Sequence, residues 1–530
     1  MGKRHLCTAL ATAWAVSFLI AGTASAQVRF SADFEQGALG EVIMVDSVDF
    51  VVAPGDTTQC LSYVVKGHFD PINPVDTSLA ANANWYCFDM TGVKDKFIYL
   101  TFPDNGVHGT SCSYDGGRTW SHLPEIESGW HKVGKRFRED TVRIALFIPY
   151  TYSYHQQRVA QWGSRPNVSV DTIGWSADGR PMQLLHVTQG DAPDKARVWI
   201  HGRIHPSETP GSWLLDALVE KLTAENDPEA ESIRRQMDFY ILPFANPDGV
   251  AAGLSRSNTT GVNQEINFGR SEDSTVVEVK AIKAALERLT AERPFDILLN
   301  NHSQLADFAC FWMHRGSTSS IQYQRKQWAL TGLASSFNPY IRPLDMAFSH
   351  VAPRYVEGWM WDRFADRTIA ITLETPYNCF SNNTAGEWSS VENLAVFGRR
   401  VLQAMAEYMG ISTPGRIMVE TPAKMGSGWE KLSDEVSFLG ADGWRAVRSG
   451  AKVTYSLDNL EKGTYDVYRF VGGRNIAPEH GSEFRADEDP GVHGWVLLDT
   501  VEQKSDGRWR HVFRASAEGE TADALLLIRR

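Results

Sequence analysis

The chain has 530 residues, 43% hydrophobic and 22% charged, with 52 Lys and Arg against 64 Asp and Glu and a net charge of −12. That length suits about three domains of ordinary size. The acidic balance argues against nucleic acid as a partner.

The first 26 residues place Lys3 and Arg4 before an apolar stretch through Leu19 and Ile20, and end in Ala24-Ser25-Ala26. This is the pattern of a secretory signal peptide. It predicts export to a periplasmic or extracellular compartment, a mature chain beginning at Gln27 and a mature charge of 50 − 64 = −14. No later run approaches the ~20 apolar residues a membrane span needs, so no transmembrane segment is expected in the mature chain. Five cysteines follow, Cys60, Cys87, Cys112, Cys310 and Cys379, with no CxxC pair. A bridge from Cys60 to Cys87 or Cys112 suits an oxidising compartment, but so few thiols argue against a disulfide-built scaffold or a cysteine-based zinc site.

Residues 27–161 read as short strands and turns, such as WYCFDM, KFIYLTF and TVRIALFI, with no long helix. One turn, Ser113 to Trp120 (SYDGGRTW), matches the S-x-D-x-G-x-T-W Asp-box, in which Asp and glycines shape a hairpin and the Trp plugs its base. A single copy reads as a structural staple, not a sialidase site. From 162 to 412 the pattern changes: apolar runs at RVWIHGRI, FYILPFAN, FDILLNNH and TIAITLET alternate with amphipathic stretches such as SWLLDALVEKL and VVEVKAIKAALERL. That alternation predicts an α/β domain with a mainly parallel or mixed sheet. From 415 to 530 short strands return (YDVYRFV, GWVLLDTV, WRHVFRAS), predicting a separate all-β module. The predicted fold is thus a central α/β domain flanked by two β-rich modules.

Four apolar runs of the central segment end in polar groups: His205 and Glu208 after the first, Asn246-Pro247-Asp248 after the second, His302 after the third, Glu374 after the fourth. In open α/β sheets the carboxyl ends of the strands converge on the ligand site. Two histidines and one carboxylate, with a fourth position left for water, form a common catalytic zinc set. A further glutamate is then free to act as general base. Singly, each piece has a structural reading: H-x-x-E as a salt bridge or helix cap, His302 as a hydrogen-bonded core histidine, Glu374 as a cap. Their joint occurrence at strand ends of one segment favours the site.

These residues resemble a family. His205 to Trp213 (HPSETPGSW) looks like the H-P-G-E-T-x-x-S-W signature of zinc carboxypeptidases, in their cytosolic-carboxypeptidase branch. NPDGV (Asn246 to Val250), RSNTTG (Arg256 to Gly261), NNHS around His302 and TLETPYNC around Glu374 follow in the family's order. Upstream, SADFEQGAL, WYCFDMTG, SYDGGRTW and IPYTYSY resemble the β-sandwich that precedes that branch's catalytic domain. The resemblance implies one Zn2+ per chain held by His205, Glu208 and His302, Glu374 as base and proton shuttle, and Arg256 polarising the scissile carbonyl. Tyr355 is the nearest counterpart of a family tyrosine that touches substrate.

One departure stands out. Where the family reads G-x-D-L-N-R, with Asn and Arg gripping the substrate's terminal carboxylate, this chain reads GVNQEINF, with Glu265 and Ile266 at those positions. An anion is not desolvated there without another cation. Either Arg270 or Arg354 replaces the clamp, or the substrate lacks a free C-terminal acid, or the domain is an inactive relative. The third module weakly resembles a carbohydrate-binding β-sandwich, with Trp495 and Trp509 as candidates for stacking on a sugar, although tryptophans in short strands are usually core. The leading expectation is an exported zinc peptidase acting on a peptide or peptide-containing polymer. The alternative is a non-catalytic or carbohydrate-binding surface protein that retains the peptidase fold.

Overall fold

Strict alternation in the first part of the chain builds two five-stranded sheets. In Phe97–Thr101 it buries Ile98 and Leu100 and turns their neighbours outward. One sheet runs Arg29–Ser31, Cys87–Thr91, Thr141–Ala145, Ser111–Ser113, Ser121–His122; the other runs Val42–Ala53, Asp56–Val65, Phe97–Thr101, Lys132–Arg136, Ser128–Gly129. The computed structural model describes residues 27–73, 82–105, 109–124, 126–342, 345–381, 386–432, 439–440, 443–472 and 494–530, so the predicted signal peptide lies outside it. The Asp-box is a closed turn: Asp115 Oδ1 accepts from Arg118 N and Thr119 N (both 2.9 Å), and Trp120 Nε1 donates to Gly117 O (3.0 Å). Gly116 and Gly117 supply positive φ of 77° and 92°, which L side chains rarely adopt.

Two expectations for this region fail. Among the described residues no disulfide joins Cys60 to Cys87 or Cys112. Cys60 lies in one sheet and Cys87 and Cys112 in the other, and burial pushes the Cys87 thiol up to about 12. The segment also holds a helix, Tyr152–Gly163, which crosses the expected boundary at 161. Thr151 caps it by accepting from Tyr154 N, and His155, Val159 and Trp162, at helical spacing, face inward.

The central eight-stranded sheet is mixed. Its order is Val168–Trp175, Pro181–Val187, Met237–Leu242, Ala196–Gly202, Ile297–Gln304, Ile369–Pro376, Cys310–His314, Met346–Ser349. Met237–Leu242, Ala196–Gly202, Ile297–Gln304 and Ile369–Pro376 are parallel neighbours. Their nearly continuous apolar sequence reflects cover on both faces. Val198, Ile200 and Leu299 pack toward the helices Thr209–Thr223 and Val391–Tyr408, while Trp199 and Leu298 pack toward Val277–Leu289 and Val356–Phe364.

The last segment forms one four-stranded and two three-stranded sheets. Phe470, Trp495 and Leu526 join the apolar cluster of the central part. The indole Nε1 of Trp495 donates to Glu407 Oε2 (2.9 Å), an oxygen it shares with Arg400. Trp495 and Trp509 are only 8% and 5% exposed, which removes both as sugar-stacking platforms. Among the described residues no helix is long and apolar enough to cross a membrane.

Candidate active site

The strand Ala196–Gly202 ends at Arg203, a buried residue with left-handed backbone (φ 55°). Its guanidinium locks the turn that follows, donating to Pro206 O (3.0 and 2.6 Å), Tyr150 O (3.1 Å) and Ser212 Oγ (3.0 Å). Glu208 is the N-cap residue of Thr209–Thr223, yet its side chain makes no capping bond and is free for other work. The helix then crosses close above Ile297–Gln304. A Cβ on Gly211 would meet Asn301 Nδ2 at 3.0 Å and His302 O at 3.2 Å, which accounts for the small residue after Thr-Pro.

Glu208 bridges the two histidines. His205 Nδ1 lies 2.8 Å from its Oε1, and His302 Nδ1 lies 2.8 Å from its Oε2. One ligand atom from each of the three residues falls within 4.8 Å of the others, and all three are buried. The outer nitrogens are also held: His205 Nε2 is 3.2 Å from Asn263 Oδ1, and His302 Nε2 is 3.2 Å from Glu265 Oε2. Imidazoles that bind a metal through one nitrogen characteristically give the other to such an oxygen. The donor set therefore fits a zinc ion in type, number and supporting contacts. Burial works against a charge on His302, but Glu208 and Glu265 on either side outweigh it and hold the imidazole well above its ordinary value. Burial likewise opposes charge on Glu208, and the two histidines overcome it to hold this carboxyl low.

Glu374 is the register neighbour of His302 across the parallel pair. Burial, reinforced by Glu208 and Glu265 and opposed by His302 and Arg256, pushes its acid up to about 8. A carboxyl so tuned takes a proton readily near neutral pH. Glu374 lines a cavity of about 400 Å³ together with the three residues above, Arg256 and Tyr355.

Arg256 is the single arginine among the described lining residues. Arg354 is exposed, with its guanidinium 4.8 Å over the Tyr355 ring, and Arg270 follows the turn Gln264–Ile266 outside the cavity wall. Neither lines the cavity. Asn246 and Asp248 are not in the cavity lining either. Asn246 ties Ile204 O to Ser257 O, and buried Asp248 accepts from Ser176 Oγ, Asp178 N and Arg180 Nη1.

Glu357, which strand-end reasoning missed because it sits in a helix, lines the cavity beside Glu265. Both carboxylates accept from Asn300 Nδ2 (2.9 and 3.2 Å). Burial, with Glu265 beside it, raises the Glu357 acid. The place expected to grip a carboxylate is thus itself acidic. Arg203 and Asn263 were missed as well; the only sequence signal was their position one turn from the motif residues.

Residues 157–330 match the zinc carboxypeptidase family profile, a span that takes in His205, Glu208, Arg256 and His302 and ends before Glu374. Cytosolic carboxypeptidase 6 of Caenorhabditis elegans is 23% identical over 316 residues, 55% of this chain and 66% of that protein. Human cytosolic carboxypeptidase 6 is 32% identical over 130 residues, 23% of this chain and 25% of that protein. An uncharacterized protein of Zymomonas mobilis is 25% identical over 228 residues, 40% of this chain and 57% of that protein. The chain therefore spans less than two thirds of these relatives. The fold is shared with a metallo-carboxypeptidase from Burkholderia cenocepacia, at a TM-score of 0.59 and 21% identity over 72% of this chain and 98% of that one. Residues 157–330 thus carry the match to the zinc carboxypeptidase family, parts of the chain are similar in sequence to cytosolic carboxypeptidases, and the fold is that of a bacterial metallo-carboxypeptidase.

Proposed function

We propose that this chain is an exported zinc peptidase that hydrolyses a peptide or amide bond, with Glu374 as general base and Arg256 stabilising the oxyanion. The observation that carries the reading is the convergence of His205, Glu208 and His302 on one point of a cavity also lined by Glu374 and Arg256. Zinc held by the three residues would supply a Lewis acid that activates water and polarises the scissile carbonyl. Glu374 stands beside His302 on the cavity wall, where its carboxylate accepts the proton of the attacking water and passes it to the leaving amine. Arg256 brings a permanent charge to that cavity, suited to an oxygen that turns negative in the transition state. Export rests on the signal-peptide pattern of residues 1–26.

The acidic pair Glu265 and Glu357 disfavours a free terminal carboxylate and suits an amide or a cationic terminus. The test measures zinc content and then hydrolysis of matched peptides with free-acid and amidated C-termini. About one zinc per chain and faster cleavage of the amidated set are expected. No hydrolysis of any peptide contradicts the peptidase reading, and a strong preference for free acids contradicts the role given to the acidic pair.

A further inference from the structure

Arg256 lies in an irregular stretch between Ala252 and Gln264, where no helix or strand satisfies the backbone. The partner is supplied from the N-terminal sandwich. Asp70, 3% exposed, accepts from Ser255 N through Oδ1 (2.7 Å), and from Arg256 N and Ser257 N through Oδ2 (2.7 and 2.8 Å). Three successive backbone donors on one buried carboxylate form a charge-assisted cradle.

Neighbouring contacts tie the same two regions. Trp85 N donates to Ser255 Oγ (3.0 Å), and Asn73 Nδ2 donates to Thr260 O (2.9 Å). At Gly253, with φ 68°, a Cβ would stand 2.4 Å from Gly37 O, so only glycine admits the sandwich this closely. Asn82 and Asn84, from the same sandwich, line the cavity itself.

We propose that Asp70 is a positioning residue for Arg256: its carboxylate fixes the backbone from Ser255 to Ser257 and so sets where the guanidinium reaches in the cavity. The N-terminal sandwich is on this view a part of the active site. The inference rests on the reading of Arg256 as the oxyanion group. The link is steep because an ångström of displacement in a catalytic group costs roughly a hundredfold in rate.

Asp70→Asn keeps the size of the side chain but exchanges one acceptor oxygen for an amide. In either orientation at least one of the three N–H groups then faces a donor. Two readouts test the proposal in the full-length chain. Hydrogen exchange at Ser255 to Ser257 should quicken about tenfold or more in Asp70→Asn, with zinc content and melting temperature preserved. Unchanged exchange overturns the proposal whether or not the chain is a peptidase. The second is a double-mutant cycle on the best peptide of the paired panel. Asp70→Asn should lower kcat about 10- to 100-fold with KM within about threefold, and cost less than about twofold in an Arg256→Ala background.

An equal loss in both backgrounds means that Asp70 acts only through the fold, and overturns the proposal. Asn73→Ala loosens the same junction without touching the carboxylate and should leave kcat near wild type; a loss as large as that of Asp70→Asn also overturns it. Asp70→Glu keeps charge and both acceptors, serves where Asp70→Asn does not fold, and should recover part of the rate, with its residual loss again absent beside Arg256→Ala. If the wild type cleaves no peptide, the peptidase reading falls and the exchange measurement alone decides the role of Asp70.

Discussion

Replacing Glu265 with glutamine keeps the side chain's shape and removes one charge from behind His302. The two groups face each other at 3.2 Å, and neither Glu265 Oε2 nor His302 Nε2 has another hydrogen-bond partner among the described residues. Loss of such a partner behind a metal-binding imidazole typically weakens metal affinity about 10- to 100-fold, or about 1.4–2.7 kcal/mol. Both side chains are almost entirely excluded from solvent, so water is a poor substitute, and the effect should fall toward the hundredfold end. It should not exceed it, because the amide oxygen of glutamine still accepts a hydrogen bond. The assay is competition for zinc with a chromogenic chelator at pH 8. Glu357→Gln serves as the control, since Glu357 accepts from Asn300 and Thr372 and does not pair with His302 among the described residues. A zinc dissociation constant unchanged in Glu265→Gln would refute the reasoning and free Glu265 for a role toward substrate alone.

Other expectations follow from the same physics. Glu407 is buried between Arg400 (2.5 Å) and Arg416 and also takes the indole N–H of Trp495. Glu407→Ala removes the anion from between two arginines and strands the Trp495 indole N–H, and should cost about 3–5 kcal/mol in denaturant unfolding; a loss below about 1 kcal/mol contradicts this. His155, His201 and His314 are pushed down by burial, to about 3, 4 and 4. They stay neutral in the fold while the unfolded chain protonates near 6.5, so the stability they contribute is present above that pH and lost below it. At pH 5 the loss is about 2 kcal/mol apiece, and the melting temperature should fall between pH 7.5 and pH 5; a level or rising value contradicts it.

How much of this was legible in the sequence differs from residue to residue. His205, Glu208, His302 and Glu374 could be grouped because each follows an apolar run, and parallel strands deliver all their carboxyl ends to one edge of the sheet. Asp70 had no such signal: it meets Ser255 across 185 residues, from a loop without periodicity. Glu265 was visible as a departure from a family pattern, but its contact with His302 depends on how a short 3-10 turn aims the side chain. The helix Tyr152–Gly163 was hidden by its tyrosines, which read equally well as strand. Trp509 shows the converse, since its burial with Phe513 follows from simple alternation along Gly507–Arg514.

The most direct test of the central claim is Glu374→Gln. Glutamine keeps the size of the side chain and the cavity's shape but cannot take a proton from water. The variant should bind zinc as the wild type does and lose hydrolysis of the best peptide by about two to four orders of magnitude. Turnover within about threefold of wild type, with zinc retained, would contradict the assignment of Glu374 as the base and with it the mechanism proposed for this site.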